Sequence, residues 1–143
     1  MTVKIKRLLA EAQIPKYAHG PEEDAGLDLC SVEDAVLEPG VARAVATGLS
    51  IELPPGYEAQ VRPRSGLALK HSVSVANSPG TIDPAYRGEV KVILINLGRA
   101  PYIVHAGDRI AQMIVAKYEA IAFEETELSE SQRGVGGFGS SGR

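Results

Sequence analysis

The chain has a single cysteine, Cys30, so it cannot close an internal disulfide and has no thiol pair for zinc. A lone cysteine of this kind reads as a small buried apolar residue in a reducing compartment. Apolar residues make up 44% of the sequence, yet no run approaches the roughly 18 consecutive apolar residues that cross a bilayer. The opening stretch from Met1 to Ala10 mixes Lys4, Lys6 and Arg7 with apolar residues and lacks the continuous apolar core of an export signal. These absences predict a soluble, cytoplasmic protein with no membrane partner. His19, His71 and His105 lie too far apart for the close pair spacing of zinc motifs. No Ser-His-Asp order is legible. Basic residues are outnumbered, 15 against 18, for a net charge of -3, which excludes generic attraction to nucleic acid. Any phosphate ligand then needs a local cationic site, for which Arg62, Arg64, Arg87, Arg109 and Arg133 are the available residues.

Helix signals are scarce, and short strands dominate. The 143 residues suit one domain. Val3 to Leu8, Ala35 to Leu37, Val41 to Leu53 (broken at Gly48), Tyr57 to Arg62, Val90 to Ile95, Tyr102 to Val104 and Arg109 to Val115 are each β-branched or alternating. Gly or Pro closes most of them. Many short strands with frequent turn signals predict an all-β sandwich or barrel. Only Ser65 to Lys70 suggests a helical turn, with Ser65 placed to cap its free N–H groups. The tail, Arg133 to Arg143, is too glycine-rich to hold regular structure alone. It reads as a mobile arm following a domain over 1–130, with the arm taken as 131–143.

Four more segments carry side chains suited to chemistry. In Arg62-Pro63-Arg64-Ser65-Gly66, Pro63 favours an extended Arg62, which would bring two guanidinium forks to one side of the chain ahead of a helical turn. Such a cluster can cradle phosphate, or it can be an ordinary surface turn. Asn77 to Glu89 reads as a tight β-hairpin with Pro and Gly at its bends. It presents an amide that donates and accepts (Asn77), a carboxylate able to take a proton from water (Asp83) and a flat ring able to pack on a sugar or base (Tyr86). The plain alternative is that Asp83 caps a turn before Pro84 and Tyr86 packs in the core. Ala25 to Leu29 and Gly107 to Gln112 could each be a simple turn and strand.

Taken together and in this order, the segments resemble the five signature motifs of the trimeric dUTPase family. The matches are Ala-Gly-Leu-Asp-Leu at 25–29, Pro-Arg-Ser-Gly at 63–66, Gly-Thr-Ile-Asp-Pro-Ala-Tyr-Arg-Gly at 80–88, Gly-Asp-Arg-Ile-Ala-Gln at 107–112 and Arg-Gly-Val-Gly-Gly-Phe-Gly-Ser-Ser-Gly at 133–142. The resemblance implies a distorted β jelly roll assembled as a threefold homotrimer with shared active sites. The implied reaction is hydrolysis of dUTP to dUMP and pyrophosphate, which supplies dUMP for dTMP synthesis and keeps uracil out of DNA. It implies Mg²⁺ as cofactor, reached by Asp28 through bound waters. Asp83 would activate the water that attacks the α-phosphorus. Tyr86 would lie against the deoxyribose, and Asn77 with the backbone of Gly80, Thr81 and Ile82 would pair with uracil. Arg64, Ser65, Gly66 and Gln112 would hold phosphates, with Lys91 as a further contact. From the arm, Arg133, Gly139 and Ser140 would close on the phosphates while Phe138 stacks on the base. A dCTP deaminase on the same fold, and an idle trimer that binds nucleotide to signal, are the competing readings. The Asp83-to-Tyr86 segment and the arm favour hydrolysis over both.

Overall fold

The computed structural model describes residues 1–143 as an all-β jelly roll with one short helix. The strands are β1 (Lys4–Arg7), β2 (Leu27–Cys30), β3 (Ala35–Leu37), β4 (Ala42–Ala46), β5 (Leu49–Glu52) and β6 (Tyr57–Arg62). After α1 (Ser65–His71) come β7 (Val73–Val75), β8 (Gly80–Ile82), β9 (Lys91–Asn96), β10 (Tyr102–Val104) and β11 (Arg109–Lys117). A four-stranded sheet in the order β2-β11-β6-β8 faces a three-stranded one in the order β4-β9-β7, with β1-β5 and β10-β3 as antiparallel pairs. No helix is long and apolar enough to cross a membrane.

Alternation along the strands decides which faces meet. On β9, Val92, Leu94 and Asn96 are buried while Lys91 and Ile93 are exposed, the period of two expected when one face of a sheet is covered. Val92 and Leu94 join Leu29, Leu37, Val45, Val61, Val104 and Ile110 in a single cluster of 18 buried apolar side chains. Leu94 is 1% exposed, so Leu94→Ala is expected to cost about 2–5 kcal/mol from lost transfer energy and the cavity left behind. Urea denaturation would register it as a lowered midpoint. Buried polar side chains are paired: Thr47 Oγ1 donates to Val90 O (2.5 Å). Asn96 Nδ2 donates to Leu37 O (2.9 Å) and Ala100 O (2.8 Å). Cys30 is free and buried, and burial, seconded by the Asp28 carboxylate, pushes its thiol pKa up, as a structural cysteine requires.

Three local expectations are corrected. The residue capping α1 is Arg64, in extended conformation and without a side-chain cap bond, so Ser65 is the first helical residue and not the cap. The segment Asn77 to Glu89 is not a hairpin of two paired strands. Gly80–Ile82 pairs with β6, whereas β9 pairs with β4 and β7 in another sheet. The alternation Gly80 in, Thr81 out, Ile82 in is satisfied only against the β6 face of the core. Finally, Arg62 and Arg64 diverge: Arg62 Nη2 and Nε bind Gln60 Oε1 (2.7 and 3.1 Å), while Arg64 turns to Asp28.

Candidate active site

The end of the four-stranded sheet brings together residues 84 positions apart in sequence, because Asp28 lies opposite Gln112 and Gln112 opposite Arg62. The resulting cleft of about 370 Å³ is lined by Asp28, Arg64, Ser65, Gly66, Arg109 and Gln112, with the 18–26 loop as its outer wall. Arg64 Nε is 3.4 Å from Asp28 Oδ1, and Arg109 Nη1 is 3.4 Å from Asp28 Oδ2. Arg64 Nη1 also donates to Arg109 O (3.2 Å). The two guanidinium groups share one carboxylate, and both keep further N–H donors for an anion.

Gln112 is fixed from two sides. Its Nε2 donates to Pro63 O (3.0 Å), and its Oε1 fills the space where a Cβ on residue 26 would stand. Glycine at 26 lets the 25–29 segment approach the 107–112 segment closely, since a side chain there would displace the Gln112 amide. Ser65 and Gly66 open α1, where first-turn N–H groups have no intrahelical acceptor.

A second group gathers around β8. Gly80 is buried against Val61, with Asn77 Nδ2 3.3 Å from where its Cβ would be. Asp83 follows in a turn closed by Tyr86 N–H to Asp83 O (3.1 Å), with Pro84 at the position where its fixed φ suits a turn. Tyr86 is 46% exposed, which removes the core-packing alternative. Its hydroxyl donates to Glu89 O (2.9 Å), and its ring occupies the space a Cβ on Gly88 would need. Arg87 Nη1 donates to Pro84 O (2.6 Å) and Tyr86 O (3.1 Å), and Ser50 Oγ donates to Arg87 O (2.7 Å). The loop is thus tied down, with Asp83 on its exposed side. Lys91 stands on β9 beside Glu89 (3.8 Å) and not at the cleft.

The two groups do not meet within one protomer. Asp28 on β2 is three strand spacings from β8, and Asp83 continues β8 to the level of Glu58, four residues from Arg62. At about 4.8 Å per strand and 3.3 Å per residue, the two carboxylates are separated by roughly 19 Å. The arm meets neither group. Arg133 Nε donates to Gly136 O (2.7 Å), and its other hydrogen bonds close local turns such as Ser140 N–H to Gly137 O (3.1 Å). Phe138, at φ 48°, is fully exposed.

The sequence places Arg109 among five arginines available to phosphate and inside the Gly-Asp-Arg-Ile-Ala-Gln segment but assigns it no role, and it does not single out the wall formed by His19, Glu23 and Asp24. The wall carries no signal.

The fold and cleft define a β jelly-roll protein with a cleft at one sheet end where two arginines share an aspartate, and a separate, rigid loop presenting an aspartate and a tyrosine. The dUTPase family model matches residues 10–142, and the chain belongs to the dUTPase family. It is 66% identical over 143 residues to the deoxyuridine 5'-triphosphate nucleotidohydrolase of Solibacter usitatus, covering 100% of this chain and 97% of the relative. The protein of that name from Clostridium tetani is 54% identical over 143 residues, covering 99% and 97%. The solved dUTPase of Staphylococcus bacteriophage 80alpha with dUPNHPP superposes with a TM-score of 0.91 at 27% identity, covering 99% of each chain.

Proposed function

We propose that the chain is a dUTP diphosphatase, releasing pyrophosphate and dUMP in nucleotide metabolism, with each active site assembled from more than one copy. The observation that carries the shared site is the separation of Asp83 from Asp28 and Arg64 along and across one sheet. A water attacking the α-phosphorus must touch the base, while the phosphates must touch the cleft. Roughly 19 Å between the carboxylates is too far for one protomer to do both. A threefold homotrimer brings the loop of one copy to the cleft of the next, and closed symmetry repeats the arrangement three times.

In this reading β8 recognises the base. It is the outer strand of its sheet, so alternate backbone N–H and C=O groups have no ladder partner and face outward. Uracil offers acceptor, donor and acceptor along its pairing edge, and Asn77 with the backbone of Gly80, Thr81 and Ile82 supplies the complement. Cytosine would leave buried groups unpaired, at roughly 1–3 kcal/mol each. Tyr86, held by Glu89 and Gly88, presents its ring to the sugar, where a ribose 2′-hydroxyl would collide. Arg64, Ser65, Gly66 and Gln112 grip the phosphates, and Asp83 accepts the proton of the attacking water.

The cleft suits Mg²⁺. Of its three carboxylates, Asp28 is the one held by the two arginines and Glu23 and Asp24 belong to the outer loop, and no group of three or more His, Cys, Asp or Glu is able to enclose an ion. That donor set matches an ion that keeps its waters and binds chiefly through substrate phosphates. Bound there, Mg²⁺ would offset the charge that shifts onto the leaving pyrophosphate. Asp28 would hold it through water while Arg64 and Arg109 keep the carboxylate oriented.

Complementation tests the shared site. Asp83→Asn and Arg64→Ala proteins, each nearly inactive alone, are unfolded and refolded together. If Asp83 and Arg64 of one site come from different copies, random assembly restores about a quarter of native pyrophosphate release, the chance that an intact Asp83 meets an intact Arg64. Activity no greater than the sum of the two variants would mean that both groups act from one chain.

A further inference from the structure

The loop walling the cleft contains an ion pair that none of the five motifs uses. The chain reverses at Gly20 (φ 124°), whose carbonyl accepts from Glu23 N–H (3.2 Å) and Asp24 N–H (2.9 Å). The Asp24 carboxylate accepts from His19 N–H at 2.5 Å and lies 3.1 and 3.2 Å from the ring Nδ1. The backbone hydrogen bond from His19, reinforced by its ring, holds the Asp24 carboxyl below the usual aspartate range, so its negative charge is present in neutral water. His19, Glu23 and Asp24 line the same cleft as Asp28, Arg64 and Arg109. The charged groups facing the imidazole are therefore Asp24 and Glu23 of its own loop, Glu22 beside it, Asp28 of β2, Arg64 beyond β6 and Arg109 of β11.

We infer that His19 is a positioning residue for the phosphate end of the substrate, its protonated ring cancelling the Asp24 carboxylate at the cleft mouth so that the polyphosphate is held more tightly. The inference rests on the reading of the cleft as a triphosphate site. A neutral imidazole that keeps its proton on Nδ1 still donates to Asp24, so the loop keeps its shape through the titration and only the charge changes. With His19 neutral, an uncompensated carboxylate faces the incoming anion. One unit charge at a solvent-exposed cleft mouth changes affinity by about threefold. The benefit is present where the ring is charged and is lost where it is neutral.

The test compares KM for dUTP with saturating Mg²⁺ in the native protein and in His19→Asn, from pH 5.5 to 8.5. Asparagine retains a donor for Asp24 without a titratable charge, and the titrations of nucleotide and metal cancel in the ratio of the two proteins. The expected KM ratio, variant over native, is about three near pH 5.5 and falls to about one by pH 8.5, while the kcat ratio shows no matching trend. Reciprocity demands a second result: inorganic pyrophosphate should raise the His19 titration midpoint, followed by its ring proton resonance, by about half a pH unit, the logarithm of that threefold. A KM ratio that is flat with pH, or a midpoint that pyrophosphate does not move, would overturn the role assigned to His19. Failure to release pyrophosphate from dUTP at any pH would overturn the reading of the site instead, and the pyrophosphate titration would still decide the question of His19.

Discussion

Asp83→Asn is expected to lower kcat on dUTP by about 10²–10⁴-fold, the range supplied by a positioned general base, with KM changed much less. The side chain is exposed and follows an edge strand, so its amide replacement disturbs no buried contact, and the thermal midpoint should stay within about a degree or two of native. The surrounding restraints sharpen the expectation. Tyr86 N–H to Asp83 O, the Arg87 bonds to Pro84 O and Tyr86 O, and the Ser50 anchor all persist in the variant. The amide is therefore presented where the carboxylate was, and the loss isolates proton transfer from loop geometry. A pyrophosphate-release assay under saturating Mg²⁺ measures it. Equal turnover in variant and native protein would remove Asp83 as the base.

Deleting residues 133–143 is expected to reduce kcat/KM by about 100-fold or more while leaving the core intact. Apart from Gly134 N–H to Ser131, the segment's hydrogen bonds lie within its own turns and none reaches the core, so its removal is expected to leave the fold intact. In the proposed reading its value would be realised only on substrate. Fixing some ten glycine-rich residues costs roughly 10–20 kcal/mol of conformational entropy. That expense would be balanced by Arg133 and Ser140 binding phosphate oxygens, at about 1.5–3 kcal/mol each, together with glycine N–H groups and a stacked Phe138. An arm this costly to order is suited to closing with substrate and reopening for product. Steady-state kinetics alongside urea denaturation separates the two properties. Unchanged kcat/KM after truncation would show the arm to be a bystander.

The parts of this protein legible in its sequence are those fixed by local rules. Val90 to Ile95 reads as a strand because it is a short β-branched, almost continuously apolar run ended by Asn96 and Gly98, and the structure places β9 at Lys91–Asn96, the central strand of its sheet. Gly48 separates β4 from β5 because residue 48 needs φ 68° and would push a Cβ to 3.0 Å from Ala12 Cβ. Pairing partners, in contrast, are long-range facts. Gly80 to Ile82 could have folded back on the strand that follows it. Burial of Ile82 against Ala59 and Val61 decides for β6, and no window of neighbouring residues contains that information. The same limit explains the two arginines flanking Pro63. Alternation puts them on one side of an extended chain, but the choice between Gln60 and Asp28 depends on which strand lies alongside. Arg109 became part of the cleft only through the β2-β11 register. His19 was invisible because its proposed role depends on the 18–26 loop folding over residues that lie on other strands.

Gly26 and Gln112 also illustrate how such a cleft can change over generations. The amide at 112 fits only because nothing projects from 26, so neither position is free to drift while the other stands still. A side chain acquired at 26 would meet the amide at 112 and push it from its bond to Pro63 O, so such a change is expected to be tolerated best alongside a shorter residue at 112. Positions far apart along the chain thereby constrain each other as neighbours do.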